Sequence, residues 1–458
     1  MREVQNEIKT KNFEKIYALF FQFESLSRPQ VVQLLGLSIP TVTANMNKLE
    51  EQGLIAPSSY LESSGGRPAQ GYSLVADAKV AVGVEIKAHH VECALIDLKG
   101  QALAHMRKRL NCADNPAYLD SLCNIILEFI ASQPYALTRI SGVGISLQAI
   151  IDLSGRHIIY SAILPLYHLD IQQLEERLGL RVRLCHDVEN AAIAEIWQVN
   201  HRNAVYVALS EHLGGTLINE HRIEHGRRGY AGAFEHLLIK DQGRPCYCGR
   251  QGCFETYASL SALLHADEDP QTFFTNLRAE QQAYQAQPIN DTVPAASATD
   301  DTAPAASTTD DTIPAARATA ADTPTAKVSR PNLIAESQLR RLGYAEDPAW
   351  SQHVGKREES CVSRWNSYLS ALARGLSMVY LMLERDLILG GELSHHLNED
   401  DLAWLEYLII NQSSFTIEPG FIHIASVREK AYLIGAALYF IAENIPPSVQ
   451  RVNLSAQA

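Results

Sequence analysis

Cys246-Tyr247-Cys248-Gly249-Arg250-Gln251-Gly252-Cys253-Phe254-Glu255 is the stretch on which the reading of this chain turns. Three thiols lie within eight residues, and two glycines let the backbone wrap around a point. Such thiols can fill three corners of a zinc tetrahedron, and His236, ten residues earlier, is the natural fourth ligand. Four protein ligands leave no open position, so the expected zinc is structural and not hydrolytic. The other five cysteines are scattered. The chain starts with the charged run MREVQNEIKTKNFEK and holds no apolar run approaching the roughly 18 residues of a membrane helix. A cytoplasmic protein is therefore expected, and a compact cysteine trio in that compartment favours a metal over disulfides.

Around this motif the texture is that of a two-lobed α/β protein. Val80–Ile86, Val91–Ile96 and Ala102–Lys108 read as hairpin-connected strands, with Asp97-Leu98-Lys99-Gly100 as a turn. A helix near 118–132, a strand Ile140–Ser146, a helix Ile171–Leu178, a strand Val182–Cys185 and a helix Asn190–Trp197 follow. Strands Val205–Leu209 and Thr216–Ile218, later helices and a strand Asp386–Leu389 repeat the pattern more weakly. A strand triplet followed by alternating helix and strand, seen twice, predicts two lobes with a cleft between them across 79–458. With 458 residues, 46% hydrophobic and 20% charged, the chain is long and apolar enough for two or three real cores.

Residues 1–78 read differently. Phe13-Ile16-Leu19-Phe20-Phe23 is spaced for a first helix, and Ser27-Arg28-Pro29 is a start signal for a second that Gly36 stops. Ser38 caps a third, with Pro40 in its first turn and Val42, Met46 and Leu49 facing inward. Ser38, Thr41, Thr43, Ala44, Asn45 and Lys48 are then left for the outer side. Strands around Leu54–Ala56 and Tyr72–Leu74 flank Ser63-Ser64-Gly65-Gly66-Arg67-Pro68, a wing. No acidic residue occurs between Arg28 and Lys48, so this helix can approach phosphates. Its small side chains suit a major groove, where Asn pairs with adenine and a Thr methyl touches thymine. Arg67 at the wing tip suits a phosphate or a narrow minor groove. A winged helix-turn-helix reading double-stranded DNA is expected. Net charge is -13, and the stretch through Gln70 is neutral, so attraction to DNA has to be local.

One stretch belongs to neither part. NDTVP at 290–294, DDTAP at 300–304 and DDTIP at 310–314 recur every ten residues among Ala, Ser and Thr. With proline breaking helices and ladders and little apolar area to bury, 285–331 reads as a disordered insertion.

The chain resembles the ROK family (repressors, open reading frames and sugar kinases), whose signature is a His followed by C-x-C-G-x-x-G-C-x-E, and within it the Mlc/NagC-type branch of sugar-responsive regulators. The resemblance rests on Leu37-Ser38 with Thr41-Val42, Gly65-Gly66-Arg67-Pro68, Gly142-Val143-Gly144-Ile145-Ser146, His186-Asp187, Gly229-Tyr230-Ala231-Gly232, the cysteine motif through Ser259, and Leu433-Ile434-Gly435-Ala436-Ala437. It implies an actin-like/hexokinase-like (ribonuclease H-like) domain behind the winged helix-turn-helix, assembled as a homodimer or homotetramer. It also implies sugar contacts from Asp187, His236 and Glu255, with one His236 ring nitrogen on zinc and the other on the ligand.

Departures from the family pattern bear on activity. Where kinase members carry D-x-G-G-T to close backbone N–H groups on ATP phosphates, this chain has Glu85-Ile86-Lys87-Ala88-His89. Before Gly214-Gly215-Thr216, read as a second phosphate turn, stands Glu211-His212-Leu213. The family's A-G-E-x-G-H reads Ala231-Gly232-Ala233-Phe234-Glu235-His236, and its Pro-Gly cleft loop reads Gln148-Ala149. The expectation is a non-enzymatic transcriptional regulator, a repressor of carbohydrate uptake or metabolism genes. Its control would come from a sugar, a sugar phosphate or a phosphotransferase-system protein. A hexose kinase is the alternative.

Overall fold

Pro29 and Pro40 each sit in the first turn of a helix, where a missing N–H leaves no hydrogen bond unmade. The computed structural model describes residues 2–61, 68–265, 267–286, 336–354, 356 and 359–450. At the N-terminus α1 (Arg2–Gln22), β1 (Leu26–Ser27), α2 (Arg28–Leu35), α3 (Ile39–Glu51), β2 (Ile55–Leu61) and β3 (Ala69–Leu74) form one unit. The first helix starts well before Phe13 because its opening turns are polar and carry no apolar period. Gly36 ends α2 at φ 63, and the Ser38 hydroxyl caps α3 by accepting the Thr41 N–H. Val42, Met46 and Leu49 are fully buried against Ile16, Phe20, Val31 and Ile55. β1 pairs antiparallel with β3 through Leu26 and Tyr72, an element too short for any period to reveal. Arg67 and the tip 62–67 lie outside the described residues, as do 287–331 of the proposed insertion. Gln285 itself closes a helix, contrary to the expected boundary, because Phe273, Phe274 and Leu277 give that helix an apolar face.

The first lobe runs β4 (Val80–Ile86), β5 (His90–Asp97), β6 (Ala102–Arg109), α4 (Pro116–Ala131), β7 (Ile140–Leu147), β8 (Ile150–Ile151), β9 (Ile158–Tyr160), α5 (Ile171–Leu178), β10 (Val182–His186) and α6 (Asp187–Val199). The second runs β11 (Ala204–Leu209), β12 (Leu213–Asn219), β13 (Arg222–Glu224), α7 (Glu255–Ala258), α8 (Leu260–Leu263), α9 (Pro270–Gln285), α10 (Glu336–Arg341), α11 (Trp350–His353), α12 (Cys361–Leu383), β14 (Asp386–Gly390), α13 (Glu399–Gln412), β15 (Ile422–Ile424) and α14 (Ala431–Ile441). The sheets are ordered β10-β7-β4-β5-β6 and β15-β14-β11-β12-β13. In each, the first strand is central, its antiparallel hairpin partners lie to one side, and two parallel strands lie to the other. This duplicated order is the two-lobed actin-like/hexokinase-like fold. Among the described residues no helix is long and apolar enough to cross a membrane.

Two expected features change. The helix expected from Asn190 begins one turn earlier, at Asp187, with His186 as the cap residue, and Asp187 Oδ1 accepts the Val188 N–H at 2.8 Å. Gly214 and Gly215 are not a turn. They lie inside β12, paired with Ala208 and Val207, and the turn is Ser210-Glu211-His212. Their missing side chains serve packing, since a Cβ on Gly214 would meet Val188 Cγ2 at 2.5 Å and one on Gly215 would meet Phe234 at 2.4 Å.

The lobes are joined by α6 and α14. Glycine lets α14 press onto the first sheet: a Cβ on Gly83 would reach the Leu433 carbonyl oxygen at 1.9 Å, and one on Gly144 the Ala436 carbonyl oxygen at 2.0 Å. Phe21, Leu54 and Val75 of the N-terminal unit and its link pack on the same interlobe core, and Leu98 N–H donates to the Ala76 carbonyl. The helical unit is thereby in contact with the joint.

One buried carboxylate gathers several elements of the second lobe. Asp401, fully buried at the start of α13, accepts from Tyr344 Oη (2.6 Å), Trp365 Nε1 (2.8 Å), Arg278 Nη2 (2.5 Å) and the Asn398 N–H (2.9 Å). Removing it leaves a phenol and an indole N–H without their acceptor and strips the Arg278 guanidinium of its charge partner. Asp401→Ala is expected to lose about 3–5 kcal/mol, as for other broken buried pairs, read as a lower midpoint in denaturant. An unchanged midpoint would contradict this account.

Candidate functional site

A cavity of about 540 Å3 opens between the lobes. Its first-lobe wall comes from the segment after β7 (Gln148, Ala149, Ile150), from Ile159 and Tyr160, and from His186 and Asp187 where β10 passes into α6. The second-lobe wall holds Ser210, His212, Ala233, Glu235, His236, Tyr247 and Arg250, and Tyr432 of α14 closes one end. Asp187 is buried, with Oδ1 3.6 Å from His186 Nε2. Asp187 and His236, two of the expected sugar contacts, thus face one space. Ala233 lines it too and offers no polar atom from its side chain.

Glu255 is placed otherwise. It is not among the lining residues, and its buried carboxylate is already engaged: Oε1 lies 2.8 Å from His212 Nδ1, and Oε2 accepts the Leu213 N–H at 2.6 Å. Burial alone would lower the His212 pKa, but Glu255 more than offsets it and the value is raised. The His212–Glu255 pair fills the turn that the sequence reads as a thinned phosphate turn. Glu235 lies in the wall with Oε1 3.8 Å from His236 Nε2, and burial pushes its carboxyl up to about 8.

The other hairpin turn, Lys87-Ala88-His89, is occupied by charge. Lys87 Nζ is 2.9 Å from Glu85 Oε1 and 5.2 Å from the centre of the Tyr432 ring. Burial would lower the lysine pKa, but Glu85 and Asp187 raise it, so the ammonium stays charged. A charged lysine thus stands at the turn after β4, packed on the Tyr432 ring that closes one end of the cavity. No local pattern announces it, because its partners come from β4, α6 and α14.

Beside the cavity the four predicted metal ligands converge. One donor atom from each of His236, Cys246, Cys248 and Cys253 lies within 4.8 Å of all the others. Cys246 Sγ is 3.8 Å from His236 Nδ1, and Cys248 Sγ is 3.7 Å from Cys253 Sγ. A tetrahedron with Zn–S bonds of about 2.3 Å has edges of about 3.8 Å, so the donor set fits a tetrahedral ion. Burial and the Arg250 guanidinium lower the His236 pKa, keeping the ring neutral as a ligand requires. Burial pushes the Cys246 thiol up to about 12, so three adjacent thiolates need a cation to coexist. Gly249 (φ 85) and Gly252 (φ 78) supply the left-handed turns. The Tyr247 ring stands edge-on to both His236 (5.3 Å) and His212 (5.5 Å), tying the cluster to the cavity wall.

On α3, Ser38 and Ala44 are exposed and Thr41 and Thr43 half-buried. The Asn45 amide donates to the Thr41 carbonyl (2.8 Å), and Lys48 Nζ sits 4.7 Å over the Phe13 ring, so both are engaged locally. Two further side chains are exposed on the same helix. Ile39 is 68% exposed although periodicity counts it with Val42, Met46 and Leu49. Asn47 is exposed one turn beyond Ala44, and its Oδ1 accepts from Arg28 Nη2 at 2.7 Å. Its spacing from Ala44 was the available signal.

Comparison with known proteins agrees with this arrangement. The ROK family profile matches residues 81–310. The chain is 26% identical over 265 residues to the xylose repressor of Bacillus subtilis strain 168, covering 57% of this chain and 68% of that one. It is 28% identical over 262 residues to the DNA-binding transcriptional dual regulator NagC of Escherichia coli K12, covering 56% and 64%. It thus spans about two thirds of the length of these relatives. Among solved structures, a ROK family transcriptional regulator that is a homolog of the E. coli MLC protein superimposes with a TM-score of 0.58 at 20% identity, covering 98% of both chains.

Proposed function

The chain belongs to the ROK family, and from that premise we propose that it is a cytoplasmic bacterial DNA-binding regulator that represses carbohydrate uptake or metabolism genes. In this reading 1–78 grips DNA, 79–458 senses the effector and assembles the homodimer or homotetramer, and 285–331 is an insertion outside both. Two copies would read a pseudo-palindromic operator, because a neutral module alone has too little electrostatic attraction to hold DNA. The readers would be Ser38, Thr41, Thr43, Ala44, Asn45 and Lys48, with Arg67 on the wing and Ile39 added as an apolar contact for a thymine methyl. His236, Cys246, Cys248 and Cys253 would hold a structural zinc. Asp187 and His236 would meet a sugar or sugar phosphate, with Glu255 setting the wall through His212. A phosphotransferase-system protein is the other candidate effector.

The observation that supports a non-enzymatic reading is the turn at Lys87, where the Lys87–Glu85 pair stands in the stretch that kinase members use to close on ATP phosphates. A hexose kinase would need that stretch for ATP phosphates. Absence of ADP formation across a hexose panel, in a coupled assay with the zinc-loaded chain, is the expected result; brisk turnover would restore the kinase reading.

DNA reading is tested on α3. Ala44→Glu places a carboxylate against DNA phosphates without disturbing the buried stripe, since Glu is a good helix former. Affinity for an operator found by mapping the chain's own genomic sites is expected to fall at least tenfold in fluorescence anisotropy. Equal affinity would exclude this face.

A further inference from the structure

Next to the interlobe cavity lies a second groove of about 270 Å3, which shares Ile159 and Tyr230 with it and is lined further by Asp152, Leu153, Arg227 and Arg228. The two arginines belong to the loop after β13. Gly226 (φ 65) and Gly229 (φ 75) bracket them in left-handed conformations, and a Cβ on Gly229 would be in ordinary contact, 3.6 Å, with Ile150 Cγ2 and the Ile151 carbonyl oxygen. The loop lies in contact with β8, and both arginines line the groove that adjoins the cavity through Ile159 and Tyr230.

Both arginines are exposed, and among the described residues neither has an ion-pair or hydrogen-bond partner. The carboxylate lining the groove is already engaged. Asp152 Oδ1 accepts the N–H groups of Arg156 (2.8 Å) and His157 (2.9 Å), and Oδ2 accepts from Ser154 Oγ (2.5 Å). Two guanidinium groups against one committed carboxylate leave a net positive groove, open to the space where a sugar would lie. Guanidinium forks match carboxylate and phosphate oxygens in pairs.

We propose that Arg227 and Arg228 form an anion subsite continuous with the interlobe cavity, so that the effector is a sugar bearing an anionic substituent, a phosphate ester or a carboxylate. The proposal rests on the cavity being the effector site. It adds the charge of the ligand and the residues that select it.

The test uses the full zinc-loaded chain and calorimetric titration at constant ionic strength. The probes are glucose, glucose 6-phosphate, glucuronate, N-acetylglucosamine, N-acetylglucosamine 6-phosphate and inorganic phosphate. For any sugar that binds, the anionic form is expected to bind at least tenfold more tightly than its neutral parent. The phosphate and uronate arms tell the two sources of charge apart. The double variant Arg227→Ala/Arg228→Ala should reduce the preference to less than threefold, while Arg227→Lys/Arg228→Lys retains part of it. Unliganded melting of each variant checks that folding is intact. If no sugar in the panel binds, saturable binding of inorganic phosphate that disappears in the double alanine variant still supports the subsite, and its absence overturns it. Equal affinity for neutral and anionic sugars, or a preference that survives the double variant, also overturns it. Operator binding by the unliganded chain is measured alongside. Its loss would strike at the regulator reading and leave the anion result standing.

Discussion

Cys253→Ser is expected to abolish stoichiometric zinc, read by metal analysis of the purified chain, and to unfasten the cavity wall between His236 and Glu255. Serine cannot supply a soft thiolate, and the remaining three ligands would have to hold a divalent ion in an open site. Isolated zinc modules draw roughly 10–16 kcal/mol of apparent free energy from their ion. Here the loss is smaller, because Phe254 and Tyr257 anchor the segment in the second-lobe core independently of the metal. The N-terminal unit shares none of the ligands, so operator binding should persist while effector-driven release is lost. Chelation of the wild-type chain should reproduce the same separation. Retention of a full complement of zinc by Cys253→Ser would refute the four-ligand assignment.

Gly435→Val is the second large effect. In an exposed helix the exchange of glycine for another residue gains up to about 1 kcal/mol of helix propensity. At Gly435 a Cβ would stand 1.9 Å from the Asn190 carbonyl oxygen and 2.4 Å from its carbon, and these are backbone atoms of α6 that cannot rotate away. The helices must separate, which opens the core containing Ile193, Leu433 and Leu438. Overpacking of this kind costs typically 1–3 kcal/mol and more where backbone blocks relief, so the clash outweighs the propensity. The expected outcome is a strongly lowered melting temperature or insoluble protein. The milder Gly435→Ala should fold with reduced stability and altered coupling between effector and DNA, because α14 joins both lobes. A fully stable Gly435→Val chain would show that the α6–α14 contact is looser than described.

Much of the site was legible in the sequence because its signals are local. Cys246, Cys248 and Cys253 fall within one loop, so spacing alone locates them, and only the fourth ligand had to be chosen at a distance. Ser38 and Pro40 announce α3 through rules that act over one helical turn. The glycines of 142–146 and 433–437 were visible as motifs without a reason. The reason is close backbone approach to α14: Gly144 makes room for the Ala436 backbone, and Gly435 for the Asn190 backbone of α6.

What the sequence by itself determined is therefore the set of parts: the capped helices with their buried stripe, the twice-repeated strand triplet, the metal loop and the missing phosphate glycines. Each depends on neighbours within a few residues, where periodicity, capping and ligand spacing act. The tertiary structure alone decided that Glu255 is occupied by His212 and Leu213, that Lys87 packs over Tyr432 of α14, and that Arg227 and Arg228 line a groove sharing Ile159 and Tyr230 with the cavity. Those facts arise from contacts between elements far apart in the chain, and burial and electrostatic pairing exist only once the lobes have closed on each other.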